Sequence, residues 1–134
     1  MSSTGAISHI ALSASDFEAS KKFYKFLLVD LLGYKQVMDK PYVSMFGQEG
    51  GLSNDSIPYH ITCLIGIGPG DKTEHVKTHP GLHHLAFKAA TKETVDEIYG
   101  KLVQFQEENK AIVGSSTILD KPAAYPQYGP GYYA

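Results

Sequence analysis

The feature that most constrains this chain is an internal repeat. Moved along by 75 residues, the sequence aligns with itself without a gap: His9 falls on His84, Ala11 on Ala86, Ala14 on Ala89, Glu18 on Glu93, Tyr24 on Tyr99 and Leu27 on Leu102. The apolar positions follow, Ile10 with Leu85, Leu12 with Phe87 and Phe23 with Ile98. An ungapped match through a strand, a turn and a helix indicates a duplicated supersecondary unit. The 134 residues fit one domain and leave no room for two full ones. The copies must therefore share a fold. Each contributes a strand, a helix and further strands, and the two sheets join side by side with helices on one side. The expected class is α+β.

Local patterns supply the elements. Ile7 to Ala14 reads as a strand with Ile10 and Leu12 on one face and His9, Ala11 and Ser13 on the other. Ser15-Asp16-Phe17-Glu18 reads as a capping box, Ser15 at the N-cap and Glu18 at the third helical position. The helix it opens runs to about Leu32, with Phe17, Tyr24, Leu28 and Leu31 near helical spacing and Gly33 as the stop. Tyr34–Met38 and Tyr42–Phe46 are short strands broken at Asp39-Lys40-Pro41. Gln48–Pro58 is a polar loop, Tyr59–Ile67 a strand, and Gly66–Pro80 a loop with two prolines. His83–Phe87 reads as a strand and Thr91 as the N-cap of a helix to about Glu108, striped by Val95, Ile98, Tyr99 and Leu102. Asn109–Pro130 is irregular, and Tyr132-Tyr133-Ala134 begins a strand.

Composition narrows the partners. Net charge is −2, and all twelve basic residues are lysine. Without a basic stripe, nucleic acid is a poor partner. Without arginine, no side chain can clamp a carboxylate or phosphate through two parallel hydrogen bonds. No stretch approaches the roughly 20 apolar residues of a membrane span, and the first residues lack a signal-peptide pattern. The expectation is a cytoplasmic protein. Cys63 is the single cysteine and sits in an apolar run, as a buried, inert thiol does. Gly66-Ile67-Gly68-Pro69-Gly70 lacks the spacing of a phosphate loop and reads as a linker. His75 and His79 read as solvated loop residues, because Pro80 breaks any helix that would align them with His83.

The duplicated histidines point to chemistry. Each lies on the strand face opposite the large apolar residues, and each is followed two residues on by alanine. Imidazole beside small side chains lines a cavity more naturally than it fills a core, and it is the commonest transition-metal ligand near neutral pH. A relic of gene duplication is the competing reading.

Ile7-Ser8-His9-Ile10-Ala11-Leu12, followed by Ser15-Asp16 and a helix carrying Phe23-Tyr24, resembles the opening module of the vicinal oxygen chelate superfamily, the group of glyoxalases, bleomycin-resistance proteins and ring-cleaving dioxygenases. Pro80-Gly81-Leu82-His83-His84-Leu85-Ala86-Phe87 resembles the opening of its second module, and Pro130–Ala134 the approach to its closing strand. The resemblance implies two tandem βαβββ modules forming a cupped mixed sheet with helices outside: module one about 5–67, a linker 68–80, and module two 81–134, in a single domain over 1–134. It also implies a divalent metal (Zn, Ni, Mn or Fe) in the cup, with His9 and His84 as first-strand ligands. The last strand of module one, which would offer a carboxylate, has instead a polar face of His60 and Thr62; His60 is its candidate ligand and Thr62 a substrate contact. Tyr125 and Tyr128, in the proline-rich loop, are candidates to overhang the cup. Module two reaches Ala134 without its last strand and the glutamate that strand usually bears. An unpaired sheet edge there favours a homodimer.

Two functions follow from the resemblance. One is a metal-dependent small-molecule enzyme, lactoylglutathione lyase-like or dioxygenase-like, in which the metal polarises a substrate oxygen. The other is a metal-free small-molecule binding protein of the bleomycin-resistance type. No Ser-His-Asp or Cys-His arrangement is legible from spacing.

Overall fold

The computed structural model describes residues 9–48, the backbone of 59–66, residues 80–82 and 84–111, and the backbone of 112–113. The chain divides into two units, Met1–Thr73 and Glu74–Ala134.

In the first unit the order is strand, helix, strand, strand, strand. β1 (His9–Ala14) leads to α1 (Phe17–Tyr24), which continues as a π-helical segment, Lys25–Leu31. β2 (Lys35–Lys40), β3 (Val43–Gln48) and β4 (Tyr59–Gly66) follow. They form one four-stranded mixed sheet in the order β1-β4-β3-β2. β1 runs parallel to β4, while β4, β3 and β2 are antiparallel neighbours. The parallel pair requires a crossover, and the helix with the β2–β3 hairpin supplies it.

The helix begins one residue later than the capping-box reading expects. Asp16, not Ser15, is the N-cap: its side-chain Oδ1 accepts from the Ala19 backbone N–H at 3.1 Å. A carboxylate there also meets the positive end of the helix dipole, which a hydroxyl does not. Glu18 consequently leaves the capping role and pairs with Lys21 at 3.3 Å. Lys21 also reaches Asp39 at 3.2 Å on β2 and stands 5.2 Å from the centre of the Phe17 ring.

The continuous α-helix expected to Leu32 gives way after Tyr24. In the wider π turn the Leu32 N–H donates to the Leu27 carbonyl, five residues back, at 3.1 Å. Leu28 becomes fully buried. Gly33 then ends the segment with φ +74°, the left-handed conformation that glycine adopts at little cost.

The helix packs on β4, β3 and β2. The face it covers carries Phe46 and Ser44, both 0% exposed, and the half-buried Ile10 and Leu12. Ser44 is a polar residue in a core position, and the strand pairing explains it. β2 bulges between Gln36 and Met38, and the strand runs on through Asp39 and Lys40, past the break expected there. At that irregularity the Ser44 hydroxyl accepts from Gln36 Nε2 at 3.0 Å and donates to the Met38 carbonyl at 3.3 Å. A buried hydroxyl that both gives and takes avoids the desolvation cost of an unpaired one.

In the second unit α2 (Lys92–Glu108) carries the expected cap: the Thr94 N–H donates to Thr91 Oγ1 at 3.1 Å. Phe105 is buried. Asn109 interrupts the helix, with its side-chain amide donating to the Phe105 carbonyl at 2.8 Å, and a short α3 (Lys110–Val113) follows where an irregular stretch is expected. The strand expected at His83–Phe87 is a second correction, since residues 84–89 belong to no strand, and His83 lies outside the described residues. Residues 84–89 nevertheless alternate exposed and half-buried, the pattern of His9–Ser13. A strand is defined by a hydrogen-bonded ladder, and local alternation alone does not create one.

Candidate functional site

β1 positions the first candidate ligand. His9, Ala11 and Ser13 are exposed, Ile10 and Leu12 are half-buried, and Ala14 is buried. The imidazole therefore stands on the side of the sheet away from the helix, beside two small residues that leave space around it. This is the arrangement expected from the strand's alternation.

The register extends that side across the sheet. Cα partners in a ladder share a face, because the pleat carries both strands up and down together. His9 pairs with Ile61, Ala11 with Cys63 and Ser13 with Ile65. On β3 the partners of those three positions are Gly47, Met45 and Val43. β2 adds Lys35 opposite Gly47, Met38 opposite Met45 and Lys40 opposite Val43. The helix-free side is thus apolar through its middle, with an imidazole at one corner and lysines along the β2 edge. Positions 9, 11, 13, 61, 63 and 65 include no carboxylate.

Position 62 falls in the other row: it pairs with Ile10 on one side and with the buried Phe46 on the other, and position 64 pairs with Leu12 and Ser44. Position 60 has no partner in either ladder, because the β3–β4 register shifts between Gly47 and Gln48. Polarity is a poor guide to facing in this sheet, since its helix-covered row also holds Ser44 and Gln36.

His84 is exposed and starts the alternating stretch of the second unit. Tyr125, Tyr128, His75, His79 and the closing Tyr132–Ala134 lie outside the described residues. Among the described residues there is no group of three or more His, Cys, Asp or Glu side chains able to hold a metal ion. No helix among them is long and apolar enough to cross a membrane.

As to donor chemistry, His9 suits a transition metal: an imidazole on the helix-free side, with small neighbours. His84 offers the same group from an exposed position. Two imidazoles are fewer than the three protein ligands usual in a catalytic centre. Further ligands would come from water, substrate or residues outside those described.

No family model matches the chain. It is 32% identical over 94 residues to the uncharacterized protein YqjT of Bacillus subtilis (strain 168), covering 70% of this chain. The matched region spans 66% of that protein's length. Among solved structures it is similar to the crystal structure of a "putative glyoxalase" from Bacillus halodurans, with a TM-score of 0.67 and 23% identity over 98% of this chain and 85% of that one. The fold is glyoxalase-like, with mixed helix and sheet content.

Proposed function

We propose that this chain is a small-molecule enzyme of the glyoxalase-superfamily type, lactoylglutathione lyase-like or dioxygenase-like, and that His9 and His84 supply imidazole ligands to a divalent metal. The observation that carries the reading is His9 itself: an imidazole on the helix-free side of a glyoxalase-like sheet, flanked by Ala11 and Ser13. Its repeat equivalent, His84, opens a stretch with the same alternation of exposure. The bound metal would supply Lewis-acid polarisation of a substrate oxygen. The chain's own residues would do the rest. Ala11 and Ser13 would leave room beside that group. In the same reading the modules run from about 5 to 67 and from 81 to 134, joined by a linker, and the protein is a homodimer.

The test is metal content. Protein purified without chelator is assayed for Ni, Zn, Mn and Fe, and the assay is repeated on His9→Ala and His84→Ala. Loss of metal in both variants is the expected result, and unchanged content in both refutes the reading.

The absence of a carboxylate from positions 61, 63 and 65 favours one alternative, a metal-free binding protein of the bleomycin-resistance type whose apolar face takes an aromatic ligand. It predicts a thermal shift with aromatic ligands that EDTA leaves unaltered. A flat response across a varied ligand panel refutes it.

A further inference from the structure

We propose that the first unit carries a site for a soft monovalent metal ion, Cu(I) or Ag(I), built from the sulfur atoms of Met38, Met45 and Cys63. The site is independent of the histidines above, and it replaces the inert thiol expected at Cys63 with a ligating one.

The register carries it. Apart from Met1, the chain has two methionines and one cysteine. All three occupy successive places in one row across the sheet: Met38 on β2 pairs with Met45 on β3, and Met45 pairs with Cys63 on β4. The row ends at Ala11 on β1. The irregularity in β2 completes it. Gln36 pairs with Phe46 and Met38 with Met45, so Val37 is the extra residue of a bulge. In an unbroken ladder Val37 would stand opposite Met45, and the bulge puts a thioether there instead. Bulges re-aim side chains in this way beside functional sites. Val37 is 45% exposed, whereas Met38 and Met45 are both half-buried.

Reach, softness and charge select the ion. Directly opposed residues have Cβ atoms about 4.5–5.5 Å apart. Methionine has three rotatable bonds, enough for two such neighbours to bring their thioethers onto one ion at a metal–sulfur distance of about 2.3 Å. Thioether and thiolate ligands favour Cu(I) over harder divalent ions. Binding forms a metal–sulfur bond at Cys63 and releases the thiol proton to solvent. One thiolate and two neutral thioethers then cancel a single positive charge. A divalent ion would leave a net charge among the apolar positions Val43, Ile61 and Ile65 of the same face, where an unpaired charge is costly.

The experiment uses the full chain under anaerobic, reducing conditions, with Cu(I) as the probe and a chromogenic Cu(I) chelator as competitor. The native chain should bind one Cu(I), X-ray absorption should show sulfur neighbours, and excess Zn(II) should not displace the ion. Met38→Leu and Met45→Leu conserve volume and should keep the fold by circular dichroism. Each should weaken Cu(I) binding by about tenfold or more, as should Cys63→Ser. A second readout needs no variant to fold: in the native chain the methyl NMR signals of Met38 and Met45 should shift together as one equivalent of Ag(I) is added. No uptake of Cu(I) by the native chain, unchanged affinity when both methionines are replaced by leucine, or methionine signals that stay in place under Ag(I) overturns the proposal.

Discussion

Adding one methyl group at Gly100 and at Gly33 should move stability in opposite directions. A Cβ built at either position meets no atom within 4 Å, so steric crowding does not separate them. Backbone conformation does. Gly100 is an exposed position inside α2, where alanine is better than glycine by about 0.8–1.0 kcal/mol. Gly33 sits at φ +74°, where a Cβ costs roughly 1–2 kcal/mol against an unfolded-state gain of about 0.4–1 kcal/mol. Gly100→Ala should therefore gain about 1 kcal/mol and Gly33→Ala lose about as much. At the usual entropy per residue, a 134-residue chain melting in one step shifts by about 3–4 °C per kcal/mol. Thermal melts by circular dichroism, with urea midpoints as a check, should place the two variants on either side of the native chain and about 6–8 °C apart. If the units melt separately, each variant should move its own transition, since Gly33 and Gly100 lie in different units. A Gly33→Ala variant as stable as the native chain, or a Gly100→Ala variant below it, would refute the reasoning.

Two further tests concern groups in the first unit. Ser44→Ala should cost about 1–3 kcal/mol in urea unfolding, because it strips a partner from both Gln36 Nε2 and the Met38 carbonyl beside a fully buried site; a neutral outcome would show that the bulge satisfies those groups another way. Burial pushes the Tyr24 phenol above its ordinary value of 10.0, so the folded chain favours the protonated form. That contribution to stability is full below pH 10 and is lost as pH rises through the raised value, so alkaline unfolding should set in above pH 10 and be blunted in Tyr24→Phe. Ultraviolet titration of the native and Tyr24→Phe chains should assign a phenol ionising above pH 10 to Tyr24, and a difference curve centred at or below pH 10 would count against the assignment.

Much of the first unit was legible before any coordinates, because its signals are local. The alternation of β1 and the stop at Gly33 each depend on a few neighbouring residues, as does the Thr91 cap in the second unit. The shift from Ser15 to Asp16 is a choice between two adjacent good caps, decided by the charge of the carboxylate. The facing of β4 was not legible, because it depends on pairing with strands far along the chain. Polar Thr62 suggests an open face, yet its position pairs with Ile10 and the buried Phe46, in the row that also holds Ser44, where a bulge gives the hydroxyl partners. Residues 84–89 show the converse: the alternation of a strand is present, and no strand is formed there among the described residues. For the candidate site, the facing of His9 followed from local pattern alone.

The π-helical segment has a consequence for how the two halves have parted. Asp30 stands 75 residues before Phe105, yet the aspartate is exposed and the phenylalanine is buried. The widened turn puts the buried position at Leu28, two residues before the one that a 75-residue shift from Phe105 would give. A chimera grafting the later turns of either helix onto its counterpart would drive a carboxylate inward or leave an aromatic ring in water.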